Sequence, residues 1–242
     1  MTLPDAPRLY KAIEATWPAA RRFESDGWVL RDGQGGGSRV SSATLLNPDA
    51  GTLAGVQKMA AAQAGMGQQA RVMVRVGDDA LDRTLEGAGY RIADKTLLYA
   101  APVGKLAIQP PAVSSFITEW PALGILQEIW RAGGIGPERI AVMDRVTSPK
   151  CAILGRIADQ PAAAAFLAVD EDVAMLHALE VLTDKRRKNM AVYVMQAAAL
   201  WAQDQGADVL SVAVTQANTG ANALYASLGM TVVGQYHYRF LP

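Results

Sequence analysis

Four consecutive cations, Lys185-Arg-Arg-Lys188, stand directly before a long helix-forming segment. The first turn of a helix presents unpaired N–H groups and partial positive charge, so cations crowded there raise the energy. An anion such as a phosphate at that spot reverses the balance. A solvated basic loop is the competing reading, and charge alone does not choose between the two. Two further side chains can move protons. His177 sits in the strand-like run Leu176-His-Ala-Leu-Glu-Val-Leu182, and an imidazole titrating near ~6.5 exchanges protons readily at neutral pH. Period-2 alternation puts residues 175, 177, 179 and 181 on one face of that strand and Glu180 on the other, so Glu180 ranks behind His177 as a base. Tyr225 offers a phenol in a short helical run over 220–228; by pattern alone it is a core tyrosine of an amphipathic helix.

The elements that must position these groups surround them. Strand-like runs fall near 151–158, 163–169 and 174–182, with turns at Asp159-Gln-Pro161 and Asp170-Glu-Asp172. A helix over 189–205 stops at Gly206, and a strand at 209–215, the 220–228 helix and a strand at 231–240 follow. Upstream, 117–131 and 137–146 read as helices, and Pro102, Pro110 and Pro111 mark a linker. The N-terminal half opens with a helix over 7–17. Strands at 27–31 and 39–46 flank a glycine-rich stretch at 32–38, read as a hairpin turn because no Lys-Ser/Thr completes a phosphate loop. A helix at 52–64, a strand at 71–76, a short helix from Asp78 to near Gly87 and a strand at 90–101 complete this half. Shifting the sequence by 140 positions pairs Val72 with Val212, Val74 with Val214 and Gly89 with Gly229. Strand, short helix, glycine and aromatic-rich strand recur in that order, as in a repeated α/β module.

Composition narrows the function. Lys+Arg and Asp+Glu both total 23, and a formal net charge of zero argues against a nucleic-acid partner, whose backbone is bound through excess positive charge. Half of the residues are hydrophobic, enough for a substantial core. No apolar run reaches the ~18–20 residues of a membrane span. Cys151 is the only cysteine, so no intramolecular disulfide forms, and its apolar surroundings make it a core residue. The start lacks the basic head and apolar run of a secretory leader, and a soluble cytoplasmic protein is the expectation. The acidic Asp170-Glu-Asp172 reads as a solvated turn, with no metal site anywhere. Tyr236, His237 and Tyr238 read as core packing of the last strand.

The C-terminal half resembles the GNAT superfamily (Gcn5-related N-acetyltransferases) over about residues 147–240. The family's central motif is Gln/Arg-x-x-Gly-x-Gly/Ala, and this chain has Arg186-Arg-Lys-Asn-Met-Ala191, with Asn189 in place of the middle glycine. Asn218-Thr-Gly-Ala-Asn-Ala-Leu-Tyr-Ala-Ser-Leu-Gly-Met230 resembles the family's Asn-x-x-Ala-x-x-Leu-Tyr-x-x-x-Gly-Phe element, and Gln235-Tyr-His-Tyr-Arg239 is similar to a family closing strand.

The resemblance implies an α/β fold with a mixed, mostly antiparallel sheet flanked by helices, in two tandem GNAT-like modules: a degenerate one at 1–105 and an acyl-CoA-binding catalytic one at 112–242. It implies an N-acetyltransferase that moves an acetyl group from acetyl-CoA directly to a small-molecule amine. Main-chain groups of Leu179 and Val181 would pair with the pantetheine arm. N–H groups of Arg187, Lys188, Asn189, Met190, Ala191 and Val192 would cradle the pyrophosphate, with Arg186, Arg187 and Lys188 adding charge and Asn218 a further cofactor-binding residue. Asn tolerates the left-handed backbone that glycine adopts freely. Tyr225 would protonate the departing thiolate. His177 matches the second of two strand histidines in serotonin N-acetyltransferase, Met175 holding the place of the first, and would be the base. The N-terminal counterpart of the phosphate turn, near Asn47-Pro-Asp-Ala-Gly51, has no cation, and Leu85 stands where Tyr225 would be, so this half would shape the acceptor pocket or bury the partner module's face instead. Related folds pair through edge strands, which admits a homodimer. The alternatives are a catalytically silent CoA-binding regulator and, ranked last, a nucleic-acid module using the 185–188 patch.

Overall fold

Asp5 caps the first helix by accepting the Arg8 N–H, and Pro7 occupies its first turn, where a missing N–H costs nothing. That helix, α1 (Ala6–Thr16), opens the computed structural model, which describes residues 2–242. β1 (Arg21–Ser25), β2 (Trp28–Asp32) and β3 (Thr44–Leu45) form a small antiparallel sheet, with one helical turn, α2 (Ser38–Ser41), between the last two strands. α3 (Leu53–Gly65), β4 (Arg71–Arg75), α4 (Asp79–Gly87), β5 (Arg91–Pro102) and α5 (Val103–Leu106) complete the first half. The second contains β6 (Ser115–Thr118), α6 (Gly124–Ala132), α7 (Pro137–Asp144), β7 (Lys150–Ile157), β8 (Gln160–Asp170) and β9 (Val173–Val181). It ends with α8 (Met190–Asp204), β10 (Val209–Thr215), α9 (Thr219–Ser227) and β11 (Thr231–Phe240). Eight strands form one sheet in the order β4-β11-β5-β10-β9-β8-β7-β6. Every pairing in it is antiparallel except β9 with β10. This is the mixed, mostly antiparallel α/β sheet that the sequence predicts.

The sheet ignores the midpoint of the chain. A shift of 140 positions carries β4 onto β10 and β5 onto β11. The run β4-β11-β5-β10 therefore reads the same from either end, and each half pairs its penultimate strand with the last strand of the other. β5 is held on both edges, by β10 from Thr96 to Pro102 and by β11 along most of its length. α1 also crosses over. Leu9, Tyr10 and Ile13 pack with Val173 and Met175 of β9, and Arg8 bonds Asp170 at 2.7 Å and Asp172 at 2.6 Å. On the opposite face α8 packs on the alanine-rich β8, and its first residue, Met190, lies so close to Gly155 that a Cβ there would meet its sulfur.

Several local expectations give way. The tight hairpin is at Asp26-Gly27, both at positive φ, and not at 32–38. Asp-Gly suits a mirror-image turn, but the preceding strand Arg-Arg-Phe-Glu-Ser is an exposed edge without an alternating apolar pattern. The 32–38 segment instead leads into α2, so 39–46 is helical turn and loop, with only Thr44 and Leu45 in a strand. A helix over 117–131 cannot run through Trp120-Pro121, because the residue before proline is pushed out of the helical region. The segment splits into β6 and α6. The acidic turn at 170–172 is clamped by Arg8 and Lys11, and His237 leaves the core to bond Asp82 at 2.8 Å beside the Arg239–Asp82 ion pair.

Candidate active site

β9 and β10 run parallel only from Val173–Val209 to Leu176–Val212. Beyond that point β10 continues with β5 and β9 continues with β8, so the two strands part and leave a gap in the sheet. A β-bulge sits at the parting: the β8–β9 register slips between Ala164–Glu180 and Phe166–His177, and Ala178 adopts φ +51°. Trp130 of α6 holds the bulge by donating its indole N–H to Ala178 O at 2.9 Å. The bulge cancels strict alternation. His177 faces Phe166 and α1, whereas Leu179 and Val181 turn to the α8 side. Glu180 lies against Gly133 at the end of α6, on the His177 side of the sheet rather than opposite to it, and bonds Arg186 at 3.0 Å. Leu182 N–H donates to Ala162 O, so alternation back along β9 aims the main-chain groups of Leu179 and Val181 at the gap. Arg186 Nε occupies Val181 O at 3.0 Å.

The basic turn follows at the open end of the gap. Arg187 and Asn189 both lie in the left-handed region, at φ +62° and +59°. Asn189 is the N-cap of α8 yet makes no side-chain capping bond. None of the six N–H groups from Arg187 to Val192 donates a hydrogen bond among the described residues. The exposed side chains of Arg187 and Lys188 have no ion pair there either, whereas Lys185 leans on Asp184. A row of free N–H groups at a helix start, flanked by two free cations, is an anion cradle. The residues present fit a pyrophosphate. The N-terminal counterpart does not: Thr52 caps α3 through Gly55 N–H, Asn47 caps the preceding turn, and a Cβ on Gly55 would clash with Ala50 O.

His177 is buried, with both ring nitrogens engaged. Thr16 Oγ1 gives its proton to Ala12 O, so it accepts from His177 Nε2–H at 2.8 Å. Nδ1 then carries the lone pair, which accepts from Arg39 at 3.2 Å. Burial, with the Arg39 charge adding to it, holds the His177 pKa well below the ordinary 6.5. The unfolded chain thus takes up this proton near pH 6.5 and the folded chain only at lower pH, so stability falls as pH drops through that window. Between pH 7.5 and 5.5 the melting temperature of His177→Gln is expected to fall less than that of the parent, as read by circular dichroism; equal falls would refute the shift. A cavity of about 230 Å³ opens beside His177, lined by Trp17, Arg39 and Thr96 from the first half and by Ala178, Thr215 and Tyr236 from the second. Sequence reasoning missed Thr16, Trp17 and Arg39, which lie more than a hundred positions from His177 and carry no local motif.

Tyr225 lies on the other side of the sheet, buried with Leu176, Val212 and Val214, its ring 5.6 Å from that of Tyr99. Burial pushes its phenol up to about 12, so it keeps its proton throughout the neutral range. Asn218 caps α9 by accepting Ala221 N–H at 3.1 Å, which fixes the helix that presents Tyr225. Cys151 is buried, its thiol pushed up to about 12, and is no nucleophile. Among the described residues no His, Cys, Asp or Glu cluster can hold a metal, and no helix is long and apolar enough to cross a membrane.

The parted strand pair and the free-amide turn at the start of α8 are what the GNAT resemblance of the sequence implies, and comparison with known proteins decides the family. Residues 8–241 match the family described as "Probable histone acetyltransferase Rv0428c C-terminal". The chain belongs to that acetyltransferase family. By class it is an acyltransferase of GNAT type. It is 22% identical over 245 residues to an uncharacterized N-acetyltransferase, YobR, of Bacillus subtilis, spanning 97% of this chain and 98% of that protein. A GCN5-related N-acetyltransferase from Kribbella flavida has the same fold, with a TM-score of 0.71 and 19% identity over 100% of this chain and 97% of the other. A tandem GNAT protein from the clavulanic acid biosynthesis pathway superposes with a TM-score of 0.60 at 12% identity, over 88% and 77% of the two chains.

Proposed function

We propose that this GNAT protein transfers an acetyl group from acetyl-CoA directly to a small-molecule amine, in the cytoplasm. The observation that carries the reading is the row of six unused N–H groups beside Arg187 and Lys188 at the foot of the β9–β10 gap. Acetyl-CoA supplies an activated acyl carbon and a thiolate leaving group. The chain supplies the rest. The N–H groups of residues 187–192 with Arg186, Arg187 and Lys188 hold the pyrophosphate. Leu179 and Val181 offer main-chain groups to the pantetheine arm, as a neighbouring strand would. Tyr225 holds a proton on the α9 side, ready for the departing sulfur. On the opposite face His177 carries a lone pair on Nδ1 to take the amine proton once Arg39 leaves that nitrogen. Glu180, brought to the same face by the bulge, is the second candidate base.

The chain is read as two GNAT-like modules, 1–105 and 112–242, of which only the second keeps a cofactor site. The first walls the acceptor cavity through Trp17, Arg39 and Thr96. The left-handed Asn189 preserves the turn that a transferase and a silent CoA-binding regulator both need, so turnover is what separates them. Incubating the protein with acetyl-CoA and a panel of small amines tests the reading. Amine-dependent release of free CoA thiol with formation of N-acetyl product is expected, whereas CoA binding without turnover on any amine would favour the regulator.

A further inference from the structure

The cavity beside His177 has a charge pattern that acetyl transfer alone does not require. Arg39 enters it from α2 with its Nε enclosed and without an acceptor. One of its terminal nitrogens donates to His177, and its guanidinium lies 5.8 Å from the Trp17 ring. No carboxylate pairs with it among the described residues, because Glu14 of α1 is held by Arg31 and Arg22. Arg139 of α7 lines the same cavity and is likewise outside every ion pair among the described residues. Against these two guanidinium groups the lining offers a single carboxylate, that of Asp94. Arg39 therefore has neutral neighbours, the His177 ring and the Tyr236 and Tyr238 hydroxyls, but no countercharge, and a half-buried cation in that position gains from an anion that arrives to meet it. The planar fork of a guanidinium matches a carboxylate with two parallel hydrogen bonds.

We infer that the acceptor is a small amine that also bears a carboxylate, bound by Arg39 with Arg139 beside it, its amine directed to the opening at Ala178 and Thr215. This rests on the transferase reading above for the amine end and on the cavity alone for the carboxylate end. The two ends are coupled. A carboxylate that draws Arg39 onto itself frees His177 Nδ1. The amine nitrogen then bonds the acyl carbon and its proton passes to that lone pair. The C–S bond of the thioester breaks, and the departing sulfur takes the Tyr225 proton. The first half of the chain, through Arg39, thus sets acceptor specificity together with Arg139 of the second.

Acid and amide pairs test it: glycine, β-alanine, 4-aminobutyrate and the L-amino acids against their carboxamides. Each is titrated calorimetrically at constant ionic strength into the full chain, with and without saturating CoA. At least one acid is expected to bind about ten- to a hundredfold tighter than its amide, a margin typical of charge-assisted bonds. Arg39→Gln should erase that margin and leave CoA affinity unchanged, and Arg139→Ala, at an exposed position, should reduce it in a chain that folds normally. Amides binding as well as acids, or a margin that survives both substitutions, would overturn the inference. Absence of CoA binding defeats the transferase reading separately, since the margin is also read in CoA-free protein.

Discussion

Tyr225→Phe is expected to lower kcat for acetyl transfer by about 10²–10⁴-fold, with acetyl-CoA affinity nearly unchanged, the range set by losing one positioned proton donor. The phenol is held rather than free. Its ring lies in the cluster between α8, α9 and the sheet, 5.6 Å from Tyr99, and α9 is capped by Asn218. Phenylalanine fills the same volume, so the fold should keep its melting temperature and the loss should fall on kcat rather than KM. A proton shelved up to about 12 remains available over the neutral range, so the parent rate should show no limb from Tyr225 below pH 9 or so. Kinetics of both proteins with any active amine, under saturating acetyl-CoA, decide this. A variant within about threefold of the parent would remove Tyr225 from the mechanism and return it to packing.

Deleting residues 1–105 is expected to leave a C-terminal fragment that does not fold, although that fragment contains every group proposed to touch the cofactor. The fragment loses β5 from between β10 and β11 and β4 from the far edge of β11, so the last strand keeps neither of its ladders. It also loses the buried Leu9, Tyr10, Ile13, Leu98 and Tyr99. At roughly 1.5–3 kcal/mol for each large apolar side chain, these five are worth about 10 kcal/mol, against a total domain stability of about 5–15 kcal/mol. Far-ultraviolet circular dichroism and gel filtration of the fragment check this. A soluble, cooperatively melting monomer with full activity would show that the first half is dispensable and that it does not wall the acceptor cavity.

The fold was legible where local rules act alone. Gly206 stops α8 at positive φ, as its place after the 189–205 run implies, and the C-terminal strands follow their apolar runs. Asn189 shows the same locality: the turn asks for a left-handed residue, and asparagine provides one. What escaped depends on partners far along the chain. The bulge at Ala178 has no mark in Leu176-His-Ala-Leu-Glu180, because the bond that holds it comes from Trp130, and so the face of Glu180 was misassigned. Arg39 opens the run 39–46 that reads as a strand, and only the tertiary fold, which makes this segment a helical turn, brings it to His177 across 138 positions. The exchange of β5 and β11 was likewise hidden, since the 140-residue repeat reports that two modules are alike but not which strand each one lends to the other.

The central claim is that acetyl-CoA sits in the β9–β10 gap with its pyrophosphate on the 187–192 turn. Thermal unfolding across micromolar to millimolar acetyl-CoA tests it most directly, comparing the parent with the double variant Arg187→Ala/Lys188→Ala. The account predicts a saturable rise for the parent, equivalent to about 2.7 kcal/mol at a hundred times the dissociation constant. Both side chains are exposed, so the double variant should melt like the parent without ligand and need about a hundredfold more acetyl-CoA for the same rise. No rise for the parent at millimolar ligand, or the same rise in the double variant, would contradict it.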